Sequence, residues 1–92
     1  MIKSFKDEDT RQLFEGQKVR RWRAIESVAR RKLNMLNAAV KIYDLKVPPG
    51  NNLHSLKKDR EGQYAIAIND QYRLCFVWRD GHAYDVEITD YH

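Results

Sequence analysis

Four titratable or cationic side chains stand close together just past the middle of the sequence: His54, Lys57, Lys58 and Arg60. Groups of this kind suit phosphate chemistry, because a histidine with a pKa of about 6.5 can give or take a proton near neutral pH. Cations also stabilise negative charge that develops on phosphorus. Spacing alone leaves open the alternative that these residues form an exposed basic loop without a catalytic role.

A second set of candidate side chains ends the sequence: Asp90, Tyr91 and His92. Cleavage of RNA by the neighbouring ribose 2′-OH needs a base for that hydroxyl, an acid for the departing 5′ oxygen and cations around the phosphorane. His54 and His92 could supply the two proton-transfer groups, and Asp90 could orient one of them or act as a base itself. Tyr91 could stack on a nucleobase or donate a proton. Three cations could stabilise the developing charge: Lys57, Arg60 and Arg73.

The sequence does not support a metal or cofactor site. Its three histidines lack the His–His or His–Glu spacing of a recognised ligand set. The single cysteine, Cys75, excludes an internal disulfide and a cysteine-based metal site, and its place in an apolar strand predicts a buried structural thiol. Neither a glycine-rich phosphate loop nor a serine-centred elbow is present. We therefore expect chemistry that uses no metal ion and no cofactor.

Composition is that of a small globular protein. The 92 residues predict one domain over 1–92, and an apolar share of 42% is too high for a disordered chain. The N-terminal residues do not resemble a signal peptide, and no apolar run reaches membrane-spanning length. We expect a soluble, cytoplasmic protein with no membrane partner.

Positive charge is concentrated in one segment. The net charge is +4, and residues 17–33 hold seven basic residues against one acid, Glu26. Arg20, Arg21 and Arg23 stand at the expected N-terminus of a helix, where positive charge opposes the helix dipole. An anionic partner such as RNA would account for them. The alternative is an ordinary solvated helix face.

Periodicity predicts the helices that position these groups. Residues 1–5 are consistent with a short first strand, and Asp7 or Asp9 predicts the N-cap of a brief helix that ends at Gly16. Apolar residues at spacings of three and four predict a long helix over 22–43 with one face on the core. This stripe consists of Trp22, Ile25, Ala29, Leu33, Leu36, Val40 and Tyr43.

A loop over residues 47–52, which contains two prolines, ends the helical part of the chain. Beyond it, three segments alternate apolar and polar residues and predict strands with one covered face: 63–68, 73–78 and 84–89. Phe76 and Val86 share a face only if the turn at Asp80-Gly81 has three residues or is bulged. The same argument predicts an odd-length turn near 69–71.

The expected fold is α+β, with an N-terminal strand and two helices packed on a C-terminal antiparallel sheet. Arg73 falls on the polar face of this sheet together with Asp85 and Glu87, where a cross-strand ion pair is its alternative role. His82 follows a turn, and we expect it to be exposed to solvent.

The sequence resembles the HigB-type toxins of the RelE/ParE superfamily over nearly its whole length. Three stretches carry the resemblance: MIKSF at the start, PPGNxLHxLKxDRxGQYxIxIND-QYRLCF-W from Pro48 to Trp78, and the terminal DYH. The resemblance implies a compact RelE-like fold and a ribosome-dependent endoribonuclease that cuts mRNA in the ribosomal A site. It also implies a HigA-type helix-turn-helix antitoxin as partner, with operator DNA bound only through the toxin–antitoxin complex.

Carried over to matching positions, the resemblance implies five active-site residues: His54, Lys57, Asp90, Tyr91 and His92. Arg60 and Arg73 fit as neighbouring phosphate contacts on charge alone. Lys58 stands where relatives commonly have a small residue, so it adds charge beside Lys57 and could share its role. The basic segment 17–31 is expected to face ribosomal RNA.

Two other functions compete with the toxin nuclease. A non-catalytic inhibitor like the ParE branch, which binds DNA gyrase, would not need His54 together with the three terminal side chains. A plain basic RNA-binding module would not need to cluster its cations with titratable groups. Either histidine of the proposed site could be the base.

Overall fold

The computed structural model of the protein describes residues 1–56 and 62–90. Two α-helices lie in the described part of the chain, α1 (Glu8–Phe14) and α2 (Glu26–Ala38). Four strands follow them: β1 (His54–Ser55), β2 (Gln63–Ala67), β3 (Tyr72–Arg79) and β4 (His82–Asp90). The strands pair antiparallel in the order β1-β2-β3-β4. The predicted α+β class is confirmed.

The first residues of the chain add to this sheet beside β4. Ile2 and Phe5 form parallel bridges with Ala83 and Val86, and the amide of Lys6 donates to the Val86 carbonyl over 2.9 Å. The segment is bridged at isolated positions and does not form a continuous strand, so the predicted first strand is present only in this reduced form.

Helix α1 follows the sequence prediction closely. The Asp7 carboxylate accepts a hydrogen bond of 2.7 Å from the Thr10 amide, which satisfies one of the free N–H groups of the first turn. Gly16 lies just past the helix with φ of +95°, a left-handed conformation that favours glycine at a helix end.

The long helix predicted over 22–43 is wrong at both ends. Residues 20–25 form a 3₁₀ helix, α2 covers Glu26–Ala38, and a second 3₁₀ helix covers Ile42–Lys46. The backbone at Ala39 is extended. Beyond it, the Asp44 carboxylate accepts from the amides of Val40 and Lys41 over 2.9 and 3.0 Å, which starts a new turn instead of continuing α2.

Because α2 ends at Ala38, only part of the predicted apolar stripe is buried. Its first five members are buried, whereas Val40 is 71% exposed and Tyr43 is 67% exposed. A third 3₁₀ helix, Pro49–Asn51, ends the loop that the two prolines predict, and the chain enters β1 directly after it.

The core lies between α2 and one face of the sheet. The helix contributes Ala29, Leu33 and Leu36, all fully buried. The sheet contributes five further buried side chains: Ile66, Leu74, Phe76, Val86 and Ile88. Each fully buried large apolar side chain stabilises the fold by about 1.5–3 kcal/mol. This packing commits one face of the sheet to the core, so a functional site on the sheet would lie on the opposite face. Neither described helix is long and apolar enough to cross a membrane.

The two β-hairpins have turns of different length. Between β2 and β3 the loop has three residues, Asn69 to Gln71, as predicted, and the Ile68 amide donates to the Tyr72 carbonyl over 2.9 Å. Between β3 and β4, Arg79 pairs directly with His82. Asp80 and Gly81 have φ of +54° and +79°, as in a two-residue hairpin turn. Of the two predicted alternatives, a three-residue turn is therefore wrong, and a bulge lies in the strands instead of in the turn.

A β-bulge corrects the register further along the same hairpin. Cys75 pairs with Glu87 and Val77 pairs with Tyr84, so two residues of β4 oppose the single residue Phe76. The first of the two, Asp85, has φ of +53°. Its amide donates to the Ser4 side chain over 2.9 Å, and the Val86 amide donates to the Ser4 carbonyl over 3.1 Å.

The bulge moves Tyr84 to the sheet face opposite the core. Tyr84 pairs with Val77, and its ring lies under the Arg79 guanidinium at 4.5 Å. The prediction that Tyr84 shares a face with Val86 and Ile88 is therefore wrong. His82, expected in solvent, is partly buried, and its Nδ1 atom is buried without a hydrogen-bond partner among residues 1–56 and 62–90.

A candidate active-site face on the open side of the sheet

His54 begins the edge strand β1 and presents an exposed imidazole. Its Nδ1 lies 2.8 Å from the carbonyl oxygen of Asn52. A carbonyl oxygen only accepts hydrogen bonds, so this geometry assigns the proton to Nδ1 and leaves Nε2 with a free lone pair. A neutral imidazole in this tautomer can accept a proton from a substrate hydroxyl at Nε2.

The loop in front of His54 is fixed from inside the fold. Asn51 is fully buried, and its side-chain amide donates to the carbonyls of Leu45 and Val47 over 3.1 and 3.4 Å. Lys32 of α2 donates to its side-chain oxygen. Asn52 then adopts a left-handed conformation with φ of +49°, which an asparagine tolerates well and which aims its carbonyl at His54.

The register of the sheet places His54 and Arg73 on the same face. His54 pairs with Ala65, which pairs with Cys75, and Arg73 stands two residues before Cys75 on β3. With strands about 4.8 Å apart and about 3.4 Å per residue, the two Cα atoms are separated by about 12 Å. The face between them carries the small side chains of Ala65 and Cys75, both of which are fully buried.

Two polar contacts complete this face. The Cys75 Sγ lies 3.3 Å from the Thr89 hydroxyl, and Cys75 is fully buried, so the predicted buried thiol is confirmed. The Glu87 carboxylate pairs with the Lys6 ammonium at 3.2 Å. Arg73 and Glu87 do share the polar face of the sheet, as predicted, while Asp85 stands in the bulge.

Asp90 lies at the far end of β4, opposite Tyr72. Its carboxylate accepts a hydrogen bond of 3.0 Å from the Gln71 side chain. Three strand spacings and three residues along the strand separate it from His54, a Cα distance of about 18 Å on standard sheet geometry. The described structure therefore does not bring Asp90 into contact with His54. Because Asp90 stands two residues after the buried Ile88, it lies on the core face of the sheet, opposite the face of His54 and Arg73.

Five of the predicted site residues lie outside the described residues: Lys57, Lys58, Arg60, Tyr91 and His92.

Comparison with known proteins identifies the family. Residues 3–92 match the profile of the HigB-like toxins, described as RelE-like toxins of the type II toxin–antitoxin system HigB. The chain belongs to this family. Membership of a type II toxin family implies an antitoxin as partner. The family resemblance deduced from the sequence is confirmed.

Individual relatives agree with this assignment. The HigB-like chain is 41% identical over 85 residues to Toxin HigB-1 of Vibrio cholerae serotype O1, with 90% of each protein covered. It is 31% identical over 98 residues to Endoribonuclease HigB of Proteus vulgaris, with both proteins covered completely. An uncharacterized protein of Haemophilus influenzae is 35% identical over 68 residues, covering 64% of this chain and 67% of that protein.

The basic segment of this HigB-like toxin differs from its prediction. Arg20, Arg21 and Arg23 lie in the 3₁₀ helix before α2 and not at the N-terminus of the α-helix, whose first turn carries the acidic Glu26. The guanidinium of Arg21 pairs with Asp9 at 3.2 Å and lies 4.1 Å from the Trp22 ring centroid. Arg21 thus has contacts within the fold, whereas Arg20 and Arg23 are exposed.

Sequence reasoning missed two features next to His54. The buried Lys32–Asn51 pair gave no pattern signal, because a lysine beside an apolar stripe normally extends into solvent. The second is a groove beside β1 that includes His54 and the exposed Tyr43. Tyr43 was assigned to the core because its spacing continued the stripe, and its actual exposure gives it a different role.

Proposed function

We propose that this HigB-like toxin is a metal-independent endoribonuclease that cuts mRNA in the ribosomal A site and so stops translation in the cytoplasm. The observation that carries the proposal is the position of His54: an exposed imidazole with Nδ1 held on the Asn52 carbonyl, on the same sheet face as Arg73. That arrangement suits a proton-transfer group beside a phosphate.

In the proposed reaction the 2′ oxygen attacks the adjacent phosphorus while the bond to the 5′ oxygen breaks, which yields a 2′,3′-cyclic phosphate and a 5′-hydroxyl end. One of the two histidines, His54 or His92, takes the proton of the 2′ hydroxyl, and the other histidine gives a proton to the 5′ oxygen. Lys57 and Arg73 stabilise the charge on the phosphorane, with Lys58 and Arg60 as further phosphate contacts.

Asp90 and Tyr91 complete the proposed site. The Asp90 carboxylate lies at the end of β4 and accepts from Gln71. In the proposal it orients the imidazole of His92, which follows two residues later in the sequence. Tyr91 follows Asp90 in sequence and offers a ring for base stacking or a phenol for proton donation.

The proposed partners follow from charge and family. Arg20 and Arg23 lie exposed on the 3₁₀ helix before α2 and contact ribosomal RNA in the proposal. mRNA is the substrate, and the antitoxin is a HigA-type helix-turn-helix protein. Operator DNA is bound only through the toxin–antitoxin complex, and no metal ion or cofactor takes part.

The test is cleavage mapping on ribosomes programmed with a short mRNA, with the A site empty or occupied by tRNA. We expect a discrete cut in the empty A site by the wild-type protein and none by His92→Ala. His82→Asn changes the histidine outside the proposed site and should keep the cut. Growth arrest without any cleavage would contradict the proposal and favour an inhibitor of the gyrase-binding kind.

A further inference from the structure

A groove of about 280 Å³ lies beside the edge strand β1, between that strand and the Ile42–Lys46 3₁₀ helix. Tyr43 and Lys46 line it from the helix, and His54 lines it from the strand. Leu53 and Tyr64 add apolar surface between these two walls. The lining of the groove therefore combines apolar and aromatic side chains with one cationic and one titratable group.

The Tyr43 ring is available to a ligand. It is 67% exposed, and the Lys46 ammonium lies 5.1 Å from its centroid. The 3₁₀ helix is anchored by other residues, since Leu45 is 1% exposed and Asp44 accepts from two backbone amides. Tyr43 thus contributes little to holding the helix in place, and an exposed aromatic ring beside a cation calls for another explanation.

Those groups match the parts of a nucleotide. A planar base can stack on an exposed tyrosine ring, and such stacking tolerates different bases. A phosphate of the same nucleotide can pair with the Lys46 ammonium. The volume lies at the lower end of ligand pockets, which span about 300–1,000 Å³, so the groove is suited to one nucleoside and not to a larger ligand.

We propose that this groove binds one nucleotide of the RNA substrate, with the base stacked on Tyr43 and its phosphate at Lys46. The site rests on the proposed nuclease function, because His54 forms part of its wall and would stand next to the bound nucleotide. The groove then helps to place a ribose within reach of the imidazole, which adds a binding subsite to the reacting groups.

A trinucleotide of 2′-O-methyladenosine is a suitable probe, because it cannot be cut by attack of the 2′ oxygen. Its binding to the full-length protein can be followed by NMR. We expect resonances of Tyr43 and Leu53 to shift, and we expect Tyr43→Ala to weaken the affinity by at least about fivefold. Tyr43→Phe keeps the ring and should bind like the wild type.

Val47→Ala is the matched control, since Val47 is 72% exposed and stands close to Tyr43 in the sequence without lining the groove. It should leave the affinity unchanged. Equal affinity for wild type and Tyr43→Ala would overturn the proposal. If Tyr43→Ala bound the trinucleotide normally but bound the antitoxin more weakly than wild type, the proposal would also be overturned, because the groove would then be a protein-docking surface.

The two proposals fail in different ways. Absence of any ribosomal cleavage by the wild-type protein would contradict the nuclease function, whatever the trinucleotide measurement gives. Normal ribosomal cleavage by Tyr43→Ala, with its Kd for the trinucleotide also unchanged, would contradict only the nucleotide groove.

Discussion

The ammonium group of Lys32 donates a hydrogen bond to the side-chain oxygen of Asn51, and the two residues are 6% and 0% exposed. The amide of Asn51 in turn donates to the carbonyls of Leu45 and Val47. The pair therefore joins helix α2 to the two 3₁₀ helices that lie between α2 and β1, and it fixes the backbone that holds the His54 ring.

Replacement of Lys32 tests this connection. In Lys32→Met the apolar stem is kept and the donor is lost, so the buried oxygen of Asn51 has no partner from α2. We expect the free energy of unfolding to fall by about 1–3 kcal/mol, the usual cost of an unsatisfied buried polar group. Urea unfolding measures the change. Arg31→Met alters the exposed neighbour and serves as control; equal stability of Lys32→Met and wild type would show that the pair is dispensable.

Alkaline pH should affect the same pair. Burial, and secondarily the charge of Arg31, lowers the pKa of Lys32 below its ordinary value of 10.5. Between the folded pKa and 10.5 the unfolded chain binds more protons at this residue than the folded chain. The Lys32 contribution to stability therefore rises with pH across that window. We expect the stability difference between wild type and Lys32→Met to change with pH in this direction, as followed by urea unfolding at several alkaline pH values.

Acid should loosen the start of the Ile42–Lys46 helix. Hydrogen bonds from the amides of Lys41 and Val40 lower the pKa of Asp44 below its ordinary value of 3.8. The stabilisation is present above 3.8 and is lost as the pH falls through the folded pKa. In Asp44→Ala we expect faster hydrogen exchange at the amides of residues 40 and 41 already at neutral pH. Asp44→Asn keeps an acceptor and should exchange more slowly than Asp44→Ala.

His54 should matter for activity and not for stability. The side chain is exposed, so His54→Ala should unfold at the same urea concentration as the wild type. Loss of a positioned proton-transfer group typically reduces a rate by about 10²–10⁴-fold, and we expect a reduction of that size in single-turnover cleavage on programmed ribosomes. A folded His54→Ala protein that cuts at the wild-type rate would remove His54 from the proposed site.

Charge reversal separates the arginines of the basic segment. Arg20→Glu and Arg23→Glu change exposed side chains, so we expect weaker ribosome binding, a smaller dependence of the affinity on salt and unchanged stability. Arg21→Glu should also lose stability, because it removes the ion pair with Asp9 and the contact with Trp22. If ribosome binding were unaffected in all three variants, the basic segment would be a solvated surface with no role in binding the ribosome.

Structural features that depend on residues close in the chain were predicted well from the sequence, whereas features that depend on distant residues were not. The Asp7 cap, the three-residue turn at 69–71 and the alternation of the first two strand segments, 63–68 and 73–78, depend on neighbours in the chain, and each was confirmed. The helix prediction failed after Ala38 because Val40 and Tyr43 keep helical spacing, while the Asp44 carboxylate holds their backbone in another conformation.

In the candidate site, likewise, the identities of the residues could be predicted from the sequence but the distances between them could not. His54, Arg73 and Asp90 could be singled out by residue type and by the family resemblance. Their separation could not, because it depends on a sheet register that includes the β4 bulge. That bulge requires partners for the amides of Asp85 and Val86, and Ser4 provides them from the other end of the chain.

The bulge opposite Phe76 also bears on how this hairpin can change through evolution. The tight Asp80-Gly81 turn and the extra residue at Asp85 each shift the register by one, and together they restore it. A residue gained in the turn and lost at the bulge would leave Arg73, Cys75 and Thr89 on the same face of the sheet. The loop length here can therefore change while this face of the sheet stays the same, and an alignment based on strand alternation would misplace Tyr84.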